Sequence, residues 1–195
     1  MRLMSSSRKI FAAGVVLFAS VISTAAQNFS TAKPQAPDND PSAWTARLAA
    51  QHEQVVDEHM RVHVFRLRPG DDLLESLRAY AHAQHLRAAV VLTGAGSLTQ
   101  AAIRYANQPN ATLSTGHFEI VSLVGTLEDG GEHLHLSLGA ENGTMIGGHL
   151  MPGCKIYTTG EIVLGELQDA RFARELDKQG SGWEELKVYS AGPSN

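Results

Sequence analysis

Apolar residues recur along this chain at two spacings, one helical and one of strands. From Asp72 to Leu86, the positions Leu73, Leu74, Leu77, Tyr80 and Ala81 form a single stripe, which predicts a helix laid on a sheet. Asp72 can cap that helix, and Glu75 three residues later can complete a capping box. His82 and His85 fall on its far side and read as solvated helix residues. The remaining pattern is that of strands. Val62 to Arg68 is one, ended by Pro69-Gly70; Ala88 to Thr93 is another, followed by a turn at Gly94-Ala95-Gly96-Ser97. Leu98 to Tyr105 then places Thr99, Ala101, Ile103 and Tyr105 on one face, and a polar loop from Asn107 to Gly116 follows. Phe118 to Leu127 is apolar on both alternations, as in a central strand covered on both sides. After a turn at Asp129-Gly130-Gly131 come His133 to Leu138, Thr144 to Leu150 and Lys155 to Leu164. Their short connections, Glu141-Asn142-Gly143 and Pro152-Gly153, favour antiparallel hairpins. One helix and a late run of consecutive strands predict an α+β domain rather than a repeating βαβ fold. The stretch from Gln168 to Tyr189 reads as charged and loop-like, with Trp183, Leu186 and Val188 as docking points.

Upstream the pattern changes. Residues 1–26 join a basic start ending in Arg8 and Lys9, an apolar run from Ile10 to Ile22, and the small residues Ser23, Thr24, Ala25 and Ala26. This is the arrangement of a cleaved secretory signal. The apolar run is shorter than the roughly 20 residues a membrane-spanning helix needs, so cleavage is preferred to an uncleaved anchor. A periplasmic or secreted protein is expected. Residues 27–60 read as a linker, with Pro34, Pro37 and Pro41 in an exposed tether and a short amphipathic stretch around Trp44 to His59 that is a candidate for a short helix. The domain is expected over 61–190, with a tail at 191–195. No second long apolar run follows, so no stable membrane span is expected once the signal is removed.

Composition narrows the partners. With 195 residues, 43% hydrophobic and 18% charged, the chain suits one ordinary core and excludes disordered, collagen-like and multi-pass membrane classes. There are 16 Lys and Arg against 20 Asp and Glu, and three of the cations (Arg2, Arg8, Lys9) belong to the leader. Removing it leaves 13 cations against 20 acids, a net of −7. Such a body has no electrostatic attraction for a phosphate backbone, so nucleic acid is disfavoured. Cys154 is the single cysteine, which rules out an intramolecular disulfide. At the start of an apolar strand it reads as a small buried residue, since a nucleophile would need exposure and a partner base.

The chemistry lies in Glu132-His133-Leu134-His135-Leu136-Ser137-Leu138. Strand alternation puts His133, His135 and Ser137 on one face and the leucines on the other. Glu141-Asn142-Gly143 has the length and final glycine of a three-residue hairpin loop. Counting outward from it pairs Ala140 with Thr144, and therefore His135 with His149. Opposed residues have Cβ atoms about 5 Å apart, so His133, His135 and His149 can converge on one divalent metal. Zinc suits three histidines and keeps a fourth position open; copper, nickel or iron would also accept imidazole. Gly147-Gly148 just before His149 marks a bulge or a close backbone approach, and a bulge would shift this register by one.

The run from Gly125 through Leu164 resembles the PPC (plants and prokaryotes conserved) domain, named beside AT-hooks in plant nuclear proteins. The likeness is carried by His133-x-His135, Gly139, Gly143, Gly147-Gly148-His149-Leu150, Gly153-Cys154 and Thr159-Gly160-Glu161-Ile162-Val163-Leu164. Upstream it extends through Leu67 to Leu77, Thr93 to Leu98 and Phe118 to Leu123, covering about residues 62–190. The resemblance implies a mostly antiparallel sheet with a packed helix, a homotrimer, and a zinc-type site at His133, His135 and His149. The chain has no Arg-Gly-Arg-Pro-type AT-hook. Three functions follow as expectations. The first is an exported module that binds a divalent metal and offers an open position to a small-molecule ligand. The second is a metal-dependent hydrolase or lyase in which Glu119, Glu132 or Glu161 serves as base, although no His-Glu-x-x-His motif is present. The third, DNA binding as the family name suggests, is disfavoured by charge and by export.

Overall fold

The computed structural model describes residues 59–191, so the expected leader, tether and nearly all of the stretch around Trp44 lie outside the described residues. The elements run β1 (Met60–Leu67), α1 (Leu73–Ala83), β2 (Ala89–Arg104), β3 (Thr112–Glu128), β4 (Gly131–Ala140), β5 (Met145–Leu150), β6 (Lys155–Leu167), β7 (Ala170–Leu176) and β8 (Glu184–Ser190). A six-stranded antiparallel sheet has the order β1-β6-β2-β3-β4-β5, and β7 pairs with β8 in a second sheet. The result is a mostly antiparallel α+β fold with one short helix. Among the described residues no helix is long and apolar enough to cross a membrane.

The helix forms where its stripe predicts. Asp72 is extended, and its side chain accepts the Glu75 N–H at 3.2 Å, satisfying a donor left open at the helix start. The Glu75 carboxylate turns to Arg78, at 2.7 Å. Leu73, Leu74, Leu77 and Ala81 are buried in one core with Leu123, Leu127, Leu134 and Leu136 of the sheet. The helix stops short of the expected Leu86 because His85 turns left-handed, at φ +53°. The N–H groups of His85 and Leu86 then bond back to the carbonyls of His82 and Ala81, a Schellman end with histidine where glycine is usual. His82 and His85 are exposed, as expected.

The largest departure from expectation is β2. The two strands expected at Ala88 to Thr93 and Leu98 to Tyr105 are one, and no turn separates them at Gly94 to Ser97. The glycines there serve packing. Gly96 has φ +142°, and a Cβ on it would collide with the Thr159 carbonyl oxygen on β6. A Cβ at Gly94 would press on Leu123 at 3.1 Å. Register irregularities at Val91/Thr93, Gly96/Leu98 and Leu98/Gln100 bend the strand without ending it. They also break the expected alternation, since Ala101, Ala102 and Ile103 are all buried while Thr99 is exposed. The bend brings the end of β2 to β5, where Ile103 pairs with Leu150 and Arg104 with His149. At that end β2, β3, β4 and β5 therefore close on themselves. β3 starts at Thr112, inside the expected polar loop.

The segment expected to be loop-like is the hairpin β7–β8, in unbroken register from Ala170–Ser190 to Leu176–Glu184. Its charged residues mask the pattern, because few inward positions are needed to dock it. Ala170, Phe172 and Val188 pack with Ala88 and Leu167. Val188 thus docks as expected, whereas Trp183 is 74% exposed. Cys154 is buried, with its Sγ accepting the Ala102 N–H at 3.2 Å, and burial pushes its thiol up to about 11.

Candidate metal centre

The β4–β5 hairpin is set by its turn. Gly143 takes φ +80°, the Asn142 side chain accepts the Thr144 N–H at 2.9 Å, and the Ala140 N–H bonds to the Thr144 carbonyl at 2.9 Å. From there the strands pair Gly139 with Met145, Leu138 with Ile146 and His135 with His149, in the register counted from the sequence. Gly147 and Gly148 interrupt nothing. They mark close backbone approach: a Cβ at Gly148 would lie 2.7 Å from the Arg104 carbonyl oxygen, and one at Gly147 would lie 3.0 Å from that of Leu136.

On β4 the side chains divide by face. Leu134, Leu136 and Leu138 are buried, and His133 and His135 are exposed on the opposite side. The ring centroids are 5.0 Å apart for His133 and His135, 4.9 Å for His133 and His149, and 4.5 Å for His135 and His149. One ligand atom from each lies within 4.8 Å of the others. Nitrogens sharing a tetrahedral ion at about 2.1 Å lie roughly 3.4 Å apart, a spacing of the same order. The donor set and its spacing therefore fit a divalent metal.

Other histidines of the domain are engaged differently. His59 meets Asp169 at 3.2 Å, His63 meets Glu166 at 3.2 Å, His82 meets Asp129 at 2.9 Å and His117 meets Glu141 at 2.8 Å. Among the described residues, His133, His135 and His149 have no carboxylate at such a distance. Burial, then His135 and Arg174, hold His133 below the ordinary histidine value; Glu185 opposes this and Arg104 adds to it. Burial, then Arg104, His135 and His133, lower His149. Neutral imidazole is the form that binds metal.

The three glutamates considered as bases do not join the cluster. Glu132 is on the leucine face of β4, where its carboxylate takes two hydrogen bonds from Arg78 at 2.5 and 3.2 Å. It lines a cleft of about 510 Å³ with Leu77, Glu128 and Arg174, on the helix side. Glu119 pairs with Gly139 in the β3–β4 register and Glu161 with Arg66 in the β1–β6 register, and both are exposed. The charged residues that do act on the histidines, Arg104, Arg174 and Glu185, were not expected. Arg104 arrives through the β2–β5 closure, and the other two belong to the hairpin read as loop.

The sequence profile described as the Plants and Prokaryotes Conserved (PCC) domain matches residues 54–168. The chain belongs to this family. All three histidines lie inside the PCC match, and the β7–β8 hairpin lies beyond it. A hypothetical protein from Salmonella cholerae-suis, of known structure, is 44% identical with a TM-score of 0.68, covering 70% of this chain and 98% of that one. A metal-containing protein from Archaeoglobus fulgidus shares the PCC fold at 23% identity and a TM-score of 0.58, covering 69% of this chain and 99% of that one. The bifunctional protein GlmU of Synechococcus sp. (strain JA-3-3Ab) is 44% identical over 137 residues. That stretch is 69% of this chain but 22% of GlmU, so the chain spans about a fifth of that relative.

Proposed function

We propose that this PCC-domain protein is an exported homotrimer that binds a divalent metal, zinc in the first instance, through His133, His135 and His149. The fourth position is left to water or a small ligand. The observation that carries this reading is the convergence of three imidazoles, none held by a carboxylate, on facing strands. Export is supported by the leader pattern of residues 1–26. The trimer is supported by apolar side chains on the face that carries the histidines. Val124 stands opposite His135, and Val121 and Met145 flank Gly139. All three are more than half exposed, and further copies of the chain are their proposed cover. Binding is preferred to hydrolysis because Glu119, Glu132 and Glu161 are all engaged or placed elsewhere, leaving none of them as a base beside the metal. DNA binding is set aside on the acid excess.

Metal analysis after zinc loading tests the reading. Wild type should retain about one equivalent per chain and His135→Ala almost none; equal, negligible zinc in both would end it. A monomer mass by light scattering at micromolar protein would remove the trimer.

A further inference from the structure

The ligand at the open position can be identified by charge. We propose that it is a small oxyanion, a carboxylate or phosphoryl group, held jointly by the metal and by Arg104. This rests on the metal-binding reading above and adds a ligand class and a recognition residue to it.

Arg104 is directly opposed to His149 across the β2–β5 pairing, just as His135 is opposed to His149 across β4–β5. Opposed residues share a face of the sheet, with Cβ atoms about 4.5–5.5 Å apart, so the guanidinium stem starts beside a metal ligand. Its neighbour Ile103 points into the core, which leaves Arg104 the outward direction.

Most arginines near by are already satisfied. Arg78 is paired with Glu132 and Glu75, and Arg174 with Glu128, where it also donates to Thr126. Among the described residues, Arg104 has no carboxylate within ion-pair distance.

A guanidinium beside a bound dication is repulsive on its own. An anion shared between them turns that repulsion into two attractions. The planar fork of arginine suits a carboxylate or a phosphoryl group, offering two parallel N–H donors to two oxygens. A phosphoryl group keeps a third oxygen for the metal, whereas a carboxylate bridges with one oxygen on the guanidinium and the other on the metal. Val124 beside His135 and Thr126 beside His133 supply a surface without negative charge along β3.

Cobalt(II) makes the site visible. The cobalt-loaded full-length protein is titrated with acetate and with methylphosphonate while its visible absorption is followed. Saturable change in the cobalt bands is expected for wild type, and the tighter of the two probes identifies the headgroup. Arg104→Gln should bind cobalt at least as tightly as wild type, since a repelling charge is gone, yet bind the anion about 10- to 100-fold more weakly. Arg104→Lys should recover part of the loss. Unchanged anion affinity in a folded, cobalt-loaded Arg104→Gln protein would overturn the proposal, as would a wild-type spectrum that neither anion alters. Failure of wild type to bind cobalt would instead bring down the metal reading, and this proposal with it.

Discussion

The two faces of β4 obey one alternation and carry different burdens. On the inner face Leu134, Leu136 and Leu138 are at most 2% exposed and pack under α1 with the rest of the core. On the outer face His133 and His135 sit in the open with no packing partner of comparable depth. The inner positions are dictated by volume and transfer from water. The outer ones are free of that packing constraint, and under the metal-binding proposal their side chains answer to a ligand instead. A strand of this kind supplies rigidity and chemistry from adjacent residues.

That contrast can be broken or sharpened by substitution. The largest effect is expected where the scaffold under both faces is fixed. Gly96→Ala places a methyl group against the Thr159 carbonyl in a left-handed backbone, and should destabilise by more than about 4 kcal/mol, or abolish soluble folding. Leu136→Ala should cost about 2–5 kcal/mol in urea unfolding. In the same assay without metal, His135→Ala should stay within about 0.5 kcal/mol of wild type; a loss rivalling that of Leu136→Ala would erase the distinction between faces.

Metal should reverse the ranking on the outer face. With free zinc 100-fold above its dissociation constant, wild type should gain about 2.7 kcal/mol, and His149→Ala should gain nothing measurable. The smallest effect expected is that of pH. His133 and His149 are held below the ordinary histidine value of about 6.5, so on acidification the unfolded chain takes up their protons first. Metal-free protein should therefore lose stability from about pH 6.5 downward until the folded values are passed, and bound metal, which competes with protons for the same nitrogens, should leave only at lower pH. Replacing both residues by Gln should shallow the decline between pH 7.5 and 5.5; an equal decline would assign it to other groups.

The local elements were legible because their signals are local. The Leu-x-Leu alternation of β4 and the three-residue turn ending in Gly143 define the hairpin, and from its turn the pairing of His135 with His149 can be counted. What escaped depends on distant strands. Gly94 and Gly96 carry the same letters as a turn, but their purpose is the approach of Leu123 and Thr159, more than 25 residues away in sequence. Arg104 looks like any polar residue at a strand end until the bend in β2 brings it opposite His149. In β7–β8 the inward positions Ala170, Phe172 and Val188 are separated by charged residues, and the small pocket that receives them is made by Ala88 and Leu167.

Gly148 lets β5 slip between β4 and the end of β2, and His149 is the residue that faces both neighbours. A cation held by His135 and His149 would rivet that narrow seam. Parting the seam would separate the ligands, so escape of the ion and local breathing of the barrel wall would be one event. Deuterium uptake at the Leu150 amide would then keep time with it.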